Sequence, residues 1–182
     1  MAARIVVATG NKHKLKEIGR ILSLPVTGYP LRVIENGRTF EANAIKKAKA
    51  VAKKCPDAIV IADDSGLMVE ALNGKPGIKS ARFATPPTPE NLCQKLLRVL
   101  NNKTSRQAKF VCVIAIVYPS GKVKTVKGLC LGKIIEEMRG KSGFGYDPVF
   151  VPRGYKKTFA EMKSATKNRL SHRGRALRKL KI

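Results

Sequence analysis

Short, almost unbroken apolar runs alternate along this chain with stretches whose apolar residues recur every three to four positions, so the pattern predicts strands interleaved with helices. Residues 4–8 (Arg-Ile-Val-Val-Ala) read as a first buried strand, and Leu15, Ile18, Ile21 and Leu22 then recur at helical spacing behind a polar loop. A short strand is expected at residues 31–34, inside a segment otherwise broken by Pro25, Gly28, Pro30 and Gly37. Ala44, Ala48, Val51 and Ala52 mark the narrow apolar face of a helix over residues 40–54, and lysines fill the rest of its surface. A second buried strand is read at residues 59–62, with Asp63-Asp64-Ser65-Gly66 following at its end. Thr88 as N-cap and Pro89 in the first position open a helix to about Leu100, with Leu92, Leu96, Leu97 and Leu100 as its core face. Residues 110–118 and 122–131 form a hairpin around Pro119-Ser120-Gly121, and its continuous hydrophobicity implies cover on both faces. A strand at residues 149–151 follows, and Thr158 with Glu161 makes a capping box that opens a helical tail.

With 182 residues, 43% of them hydrophobic, the chain suits a single domain over 1–182, or one domain built as two lobes, with a sizeable core. There is no run of 18 apolar residues and no charged-then-apolar leader, so neither a membrane span nor a signal peptide is expected, and the cytoplasm is the default. Cys55, Cys93, Cys112 and Cys130 lie far apart without a Cys-x-x-Cys pair, which fits buried thiols better than zinc or disulfides. Charge changes the picture most. There are 37 Lys and Arg against 12 Asp and Glu, a formal +25, and such a field attracts polyanions: nucleic acid, a nucleoside triphosphate or an acidic surface. Residues 151–182 are the most positive segment, with Glu161 as their one acid. Aromatics are only 5% and Trp is absent, so no stripe suited to base stacking is visible, and nucleic-acid contact is not expected to be the main function.

Within that frame a few stretches carry chemistry. Adjacent carboxylates at the end of a buried strand repel and are costly to desolvate, and a cation relieves both problems. Mg²⁺ is the usual hard partner where one or two carboxylates also face phosphates. Taken alone, Asp63-Asp64-Ser65-Gly66 reads more simply as a turn with Asp64 or Ser65 capping a helix. The loop Thr9-Gly10-Asn11-Lys12-His13-Lys14, between a strand and a helix start, is suited to an anion, with Lys14 in reach of a phosphate. It lacks the P-loop pattern, and Asn11 capping a solvated helix is the plainer alternative. Glu35, by itself, would be assigned to solvent. A lysine of the second helix, turned toward the carboxylates, would complement a phosphate. In Gly143-Phe144-Gly145-Tyr146-Asp147-Pro148, the aromatic faces can stack a base and the acid can accept from its edge; an aromatic-anchored turn is the other reading. Lys167, Ser171 and His172 share part of one helical face, where a lone histidine is usually structural.

In order along residues 4–180, these motifs resemble the inosine/xanthosine triphosphate pyrophosphatase family. The resemblance is carried by Thr9-Gly10-Asn11…Lys14, Glu35, Phe40…Asn43-Ala44…Lys47, Ala62-Asp63-Asp64-Ser65-Gly66-Leu67, Gly74…Pro76-Gly77…Ser80-Ala81-Arg82, the glycine-aromatic loop, and Lys167…Ser171-His172-Arg173. It implies an α/β fold in which a long mixed, curved sheet is flanked by helices in two lobes around a central active-site cleft, usually as a homodimer. It also implies Mg²⁺-dependent hydrolysis of non-canonical purine triphosphates (ITP, dITP, XTP) to monophosphate and pyrophosphate, which sanitises the nucleotide pool. Carried over by position, Thr9, Gly10, Asn11, Lys12, His13 and Lys14 would cradle phosphates, and Glu35 and Asp64 would hold the metal, with Asp64 as proton acceptor. Ser65 and Lys167 would touch the nucleotide, Phe144, Gly145, Tyr146 and Asp147 would hold its base and sugar end, and His172 and Arg173 would contact the base. Three departures stand out, one of them a short segment between the first helix and Phe40. Many members carry an acid directly before the asparagine where this chain has Ala42, and the extreme basicity is not a family feature. A related enzyme acting on pyrimidine or modified nucleotides, and a basic nucleic-acid-binding domain that keeps the fold, are the competing readings.

Overall fold

The structure is a computed structural model that describes residues 4–180; residues 1–3 and 181–182, including Lys181 of the basic tail, lie outside the described residues. Six strands form a mixed sheet in the order β2-β1-β3-β4-β5-β6: β1 Ile5–Val7, β2 Val26–Gly28, β3 Ile59–Val69, β4 Gln107–Val117, β5 Val123–Ile134 and β6 Phe150–Pro152. β1 runs parallel to β2 and β3, pairing Ile5 with Val26 and with Ile59, whereas β5 and β6 are antiparallel, pairing Ile134 with Phe150. The helices are α1 Lys12–Leu22, α2 Phe40–Ala52, α3 Pro89–Val99, α4 Ser164–Leu170 and α5 His172–Leu177.

The chain divides into two compact units. The first gathers residues up to Asp64, Cys112–Gly128 and the chain from Arg173 onward; the second gathers Ser65–Val111 and Leu129–His172. In the first unit strand alternation builds two cores, one on each face. Val60 and Ala62 pack with Val6, Ala8, Val113, Ala115 and the α2 residues Ala44, Ala48 and Val51. Ile59 and Ile61 pack with Ile5, Val7, Ile114, Ile116, Ile18 of α1 and Ala176 and Leu177 of α5. The expected two-sided burial of β4 is therefore present over this part of the strand. In the second unit Leu67, Val69, Phe110, Phe150 and Phe159 form one core with Leu92, Leu96 and Leu100 of the α3 segment. On β5 burial alternates, and Leu129 and Leu131 are exposed.

Caps explain the helix starts. Asn11 accepts from the His13 and Lys14 amides, Thr39 from Ala42 and Thr88 from Asn91, and Pro89 occupies the first turn of α3. Four expectations are corrected. β3 does not end before the carboxylates but runs through Asp63 and Asp64 to Val69. The strand sought at residues 31–34 is instead β2, because pairing with β1 selects Val26–Gly28. The last strand, expected at residues 149–151, is Phe150–Pro152, with Val149 in the turn before it. The tail is no continuous helix: the capping box closes a single tight turn, and Ser171, extended at ψ 156°, separates α4 from α5.

Candidate active site

Because successive side chains of a strand point to opposite faces, Asp63 and Asp64 enter different surroundings. Asp63 continues the Ile59–Ile61 face toward α1 and α5. Lys14 Nζ lies 2.7 Å from its Oδ1, and Arg173 donates through Nε and Nη2 to Oδ2 at 3.2 and 2.9 Å, while Nη1 of the same guanidinium donates to Glu17. The Cys112 thiol donates to the same Oδ2 at 3.6 Å. Asp63 and Arg173 are almost wholly buried. Burial works to raise the Asp63 carboxyl, but the charges of Arg173, Lys14 and Lys47 outweigh it and hold the group well below the ordinary aspartate range. Each buried ion costs several kcal/mol, more than one buried isoleucine such as Ile61 contributes at roughly 1.5–3 kcal/mol, so pairing is what makes this site tolerable.

Asp64 continues the Val60–Ala62 face toward α2. Asn43 and Lys47, one helical turn apart, grip its two oxygens: Asn43 Nδ2 donates to Oδ2 at 3.3 Å and Lys47 Nζ to Oδ1 at 3.0 Å. The same ammonium lies 3.1 Å from Glu35 Oε1. The residues after Glu35 are fastened to the same helix, since Lys46 donates to Asn36 Oδ1 at 2.7 Å and the Gly37 amide donates to Asn43 Oδ1 at 2.8 Å. A Cβ on Gly37 would stand 2.5 Å from that oxygen, so the close approach needs glycine. Burial pushes the Asp64 carboxyl above the ordinary range, Lys47 and Lys14 only partly offset this, and Glu35 adds to the rise. Burial alone would lower the Lys47 ammonium, but Asp64, Asp63 and Glu35 raise it above the ordinary lysine value.

The Lys47 ammonium marks a point where two carboxylates converge on one positive charge, so their placement fits a cation. Among the described residues no group of three or more His, Cys, Asp or Glu side chains could hold a metal. A metal here would rest on Glu35 and Asp64 and complete its shell with water and phosphate, which is how Mg²⁺ is usually held.

The second unit carries the glycine-aromatic loop. Asp147 Oδ2 accepts from the Phe144 amide and from Lys167 Nζ, both at 2.7 Å. Gly143, at φ +85°, leaves the space this needs: a Cβ there would lie 2.1 Å from the same oxygen. The Lys167 ammonium stands 4.8 Å from the Phe144 ring centroid, a cation–π contact. Tyr146 is buried and donates its hydroxyl to the Ser80 carbonyl at 2.9 Å, and the Cys93 thiol donates to the Gly145 carbonyl at 3.4 Å. His172 stacks on Phe110, with ring centroids 4.6 Å apart and planes within 10°.

Of the residues nominated from sequence, the structure brings Lys14, Glu35, Asp64 and Arg173 into the first unit's ion network, while Gly10, Asn11, Lys12 and His13 stay exposed at the start of α1 and Thr9 accepts from the Asn11 amide. It gathers Phe144, Gly145, Tyr146, Asp147 and Lys167 in one loop assembly of the second unit, where half-buried Ser65 and stacked His172 also belong. Asn43 and Lys47 carry the resemblance without a role assigned to them, and Asp63, expected to share a cation with Asp64, instead faces the other way onto Lys14 and Arg173. The four-residue spacing of Asn43 and Lys47 was the signal for their shared role.

The Ham1 family model matches residues 5–182 of this sequence. The chain belongs to the Ham1 family. Similar proteins include a Bacillus anthracis protein named dITP/XTP pyrophosphatase, 47% identical over 190 residues that cover 97% of this chain and 94% of that one. Another of the same name, from Desulfotalea psychrophila, is 48% identical and covers 100% of this chain and 85% of its own. Among solved structures, the Staphylococcus aureus Ham1 protein matches with a TM-score of 0.85 at 41% identity, covering 96% of this chain and 94% of that chain. The Ham1 membership agrees with the resemblance read from the motifs, and the mixed sheet with flanking helices is the fold shared with that structure.

Proposed function

We propose that the protein hydrolyses non-canonical purine nucleoside triphosphates, dITP, ITP and XTP, to the monophosphate and pyrophosphate with Mg²⁺, and so clears them from the cytoplasmic nucleotide pool, working as a homodimer. The observation that carries this reading is the convergence of Glu35 and Asp64 on one cationic point beside Lys14 and the helix start it belongs to. The names of the similar proteins supply the substrate class.

In this reading half-buried Thr9, the exposed residues 10–13, Lys14 and Lys47 bind the phosphate chain. Asp64 takes the proton of a water that attacks the α-phosphorus, as the bond to the β-phosphate oxygen breaks and pyrophosphate leaves. Held by Asn43 and Lys47, the Asp64 carboxylate is fixed in place to accept that proton. Asn43 holds the carboxylate in register. Bound to Glu35 and Asp64, Mg²⁺ would neutralise charge on the leaving pyrophosphate. Positioning and electrostatics carry most of the rate, as in phosphoryl transfer generally.

For the base, Phe144 is the proposed stacking ring, and Lys167 and Asp147 hold its loop in shape. His172 is the donor proposed for a 6-oxo edge, whereas Arg173, expected from the resemblance to contact the base, already donates through Nε, Nη1 and Nη2 to Asp63 and Glu17; adenine, which presents an amino group there, would leave a base-edge donor unpaired at about 1–3 kcal/mol. The test is pyrophosphate release from ITP, dITP, XTP and the four standard triphosphates with and without Mg²⁺. Release confined to the non-canonical purines and abolished by chelation is expected; no release from any of them would discard the reading. Light scattering of the purified protein checks the dimer.

A further inference from the structure

The point where Glu35 and Asp64 converge is held by Lys47. Its Nζ lies 3.0 Å from Asp64 Oδ1 and 3.1 Å from Glu35 Oε1, on a side chain only 12% exposed. A cation bound by the two acids would have to share their oxygens with this ammonium or replace it, and like charges at such distances repel strongly. Lys47 is not the sole hold on Asp64 or on the chain beside Glu35. Asn43 holds the other oxygen of Asp64 and the Gly37 amide, and Lys46 holds Asn36. Lysine carries its charge on a flexible stem with three donors, so the ammonium can leave while Asp64 and the chain beside Glu35 stay held by Asn43 and Lys46.

We propose that Lys47 is a resident counter-ion of the Glu35–Asp64 pair: it keeps divalent metal off the nucleotide-free protein and yields the pair when a triphosphate draws the ammonium to its own oxygens. The inference rests on the pyrophosphatase reading and adds an order of events to it. With two protein carboxylates and no third His, Cys, Asp or Glu ligand among the described residues, the metal enters together with the phosphates that complete its shell. Metal and nucleotide then bind with positive coupling, and the lysine is the element through which each favours the other.

The experiment measures Mn²⁺ binding to nucleotide-free protein from the electron paramagnetic resonance signal of the free ion. Lys47→Met should bind Mn²⁺ about tenfold more tightly than the wild type, within the range usual for coupled sites. Lys47→Gln should behave like Lys47→Met, and Lys47→Arg, which keeps the charge, should bind as weakly as the wild type. Adding Asp64→Asn to Lys47→Met should remove the gain. Melting curves identify any variant that fails to fold, in which case the remaining neutral variant decides. The proposal is overturned if neither neutral variant binds Mn²⁺ more tightly, if Lys47→Arg gains as much as they do, or if the gain survives Asp64→Asn. Pyrophosphate release by the wild type separates the two failures: release without tightened Mn²⁺ sinks the counter-ion role alone, and no release sinks the pyrophosphatase reading.

Discussion

On one side of β3 Asp63 meets Lys14 and Arg173, and Arg173 in turn meets Glu17, so two acids are matched by two cations deep in the unit. On the other side, one residue further along the strand, Asp64 and Glu35 share the single ammonium of Lys47, and Glu35 is still 31% exposed. The first set is closed: its charges cancel and its carboxyl is held in the ionised form. The second is one positive charge short and reaches solvent. Neighbouring residues of the same type thus divide the work. One ties three segments distant in sequence together; the other is left wanting a cation. The desolvation cost is offset only where the partners are complete, so the incomplete side is the side with room for a further cation.

The sharpest way to break this comparison is to neutralise each acid in turn. Asp64→Asn should lower pyrophosphate release by about 10²–10⁴-fold while the melting temperature falls little, because Lys47 keeps Glu35 as a partner. Asp63→Asn should instead cost about 3–5 kcal/mol of stability, read from urea unfolding, because Arg173 and Lys14 lose the charge they share. If the two variants exchange these phenotypes, the assignment of scaffold and chemistry to the two faces is wrong.

A smaller effect separates the two acids by pH. The folded-state pKa of Asp63 is depressed below the ordinary 3.8, so its contribution is fully present above that value and drains away as pH falls toward the folded value. Asp64, whose pKa is raised, has the opposite sign: its ionisation disfavours the folded state as pH rises through the interval above 3.8. Urea unfolding below pH 3.8 should therefore show a steeper loss for the wild type than for Asp63→Asn.

Much of the scaffold was legible because its signals are local. Thr88-Pro89, the Asn11 cap and the Thr158–Glu161 capping box each act within a turn, and the β4 run needed only its own residues to be read as buried on both faces. What escaped depends on distant partners. Two acids inside a strand look like a terminator until Arg173, 110 residues on, neutralises the first. β2 is chosen by its pairing with β1 and not by its own apolarity, which is weaker than that of residues 31–34. The break at Ser171 is invisible to a helical count, yet it sets His172 on Phe110 in one unit and Arg173 on Asp63 in the other. Glu35 looked solvated because its partner lies one helix away. The motif resemblance supplied the acid pair; which lysine stands between the acids came only from coordinates.

Residues 35, 36 and 37 have no regular structure of their own, and each is caught by α2, through Lys47, Lys46 and Asn43 respectively. The side chain of Asn43 acts as a spacer bar, its amide nitrogen on one acid and its oxygen on the backbone two residues beyond the other. The distance between Glu35 and Asp64 is therefore set by a rigid helix and not by the connection that carries Glu35. Residues 29–34 can drift in length and sequence without detuning the pair, whereas a single residue inserted between Glu35 and Gly37 would throw it out of gauge with every carboxylate still in the chain.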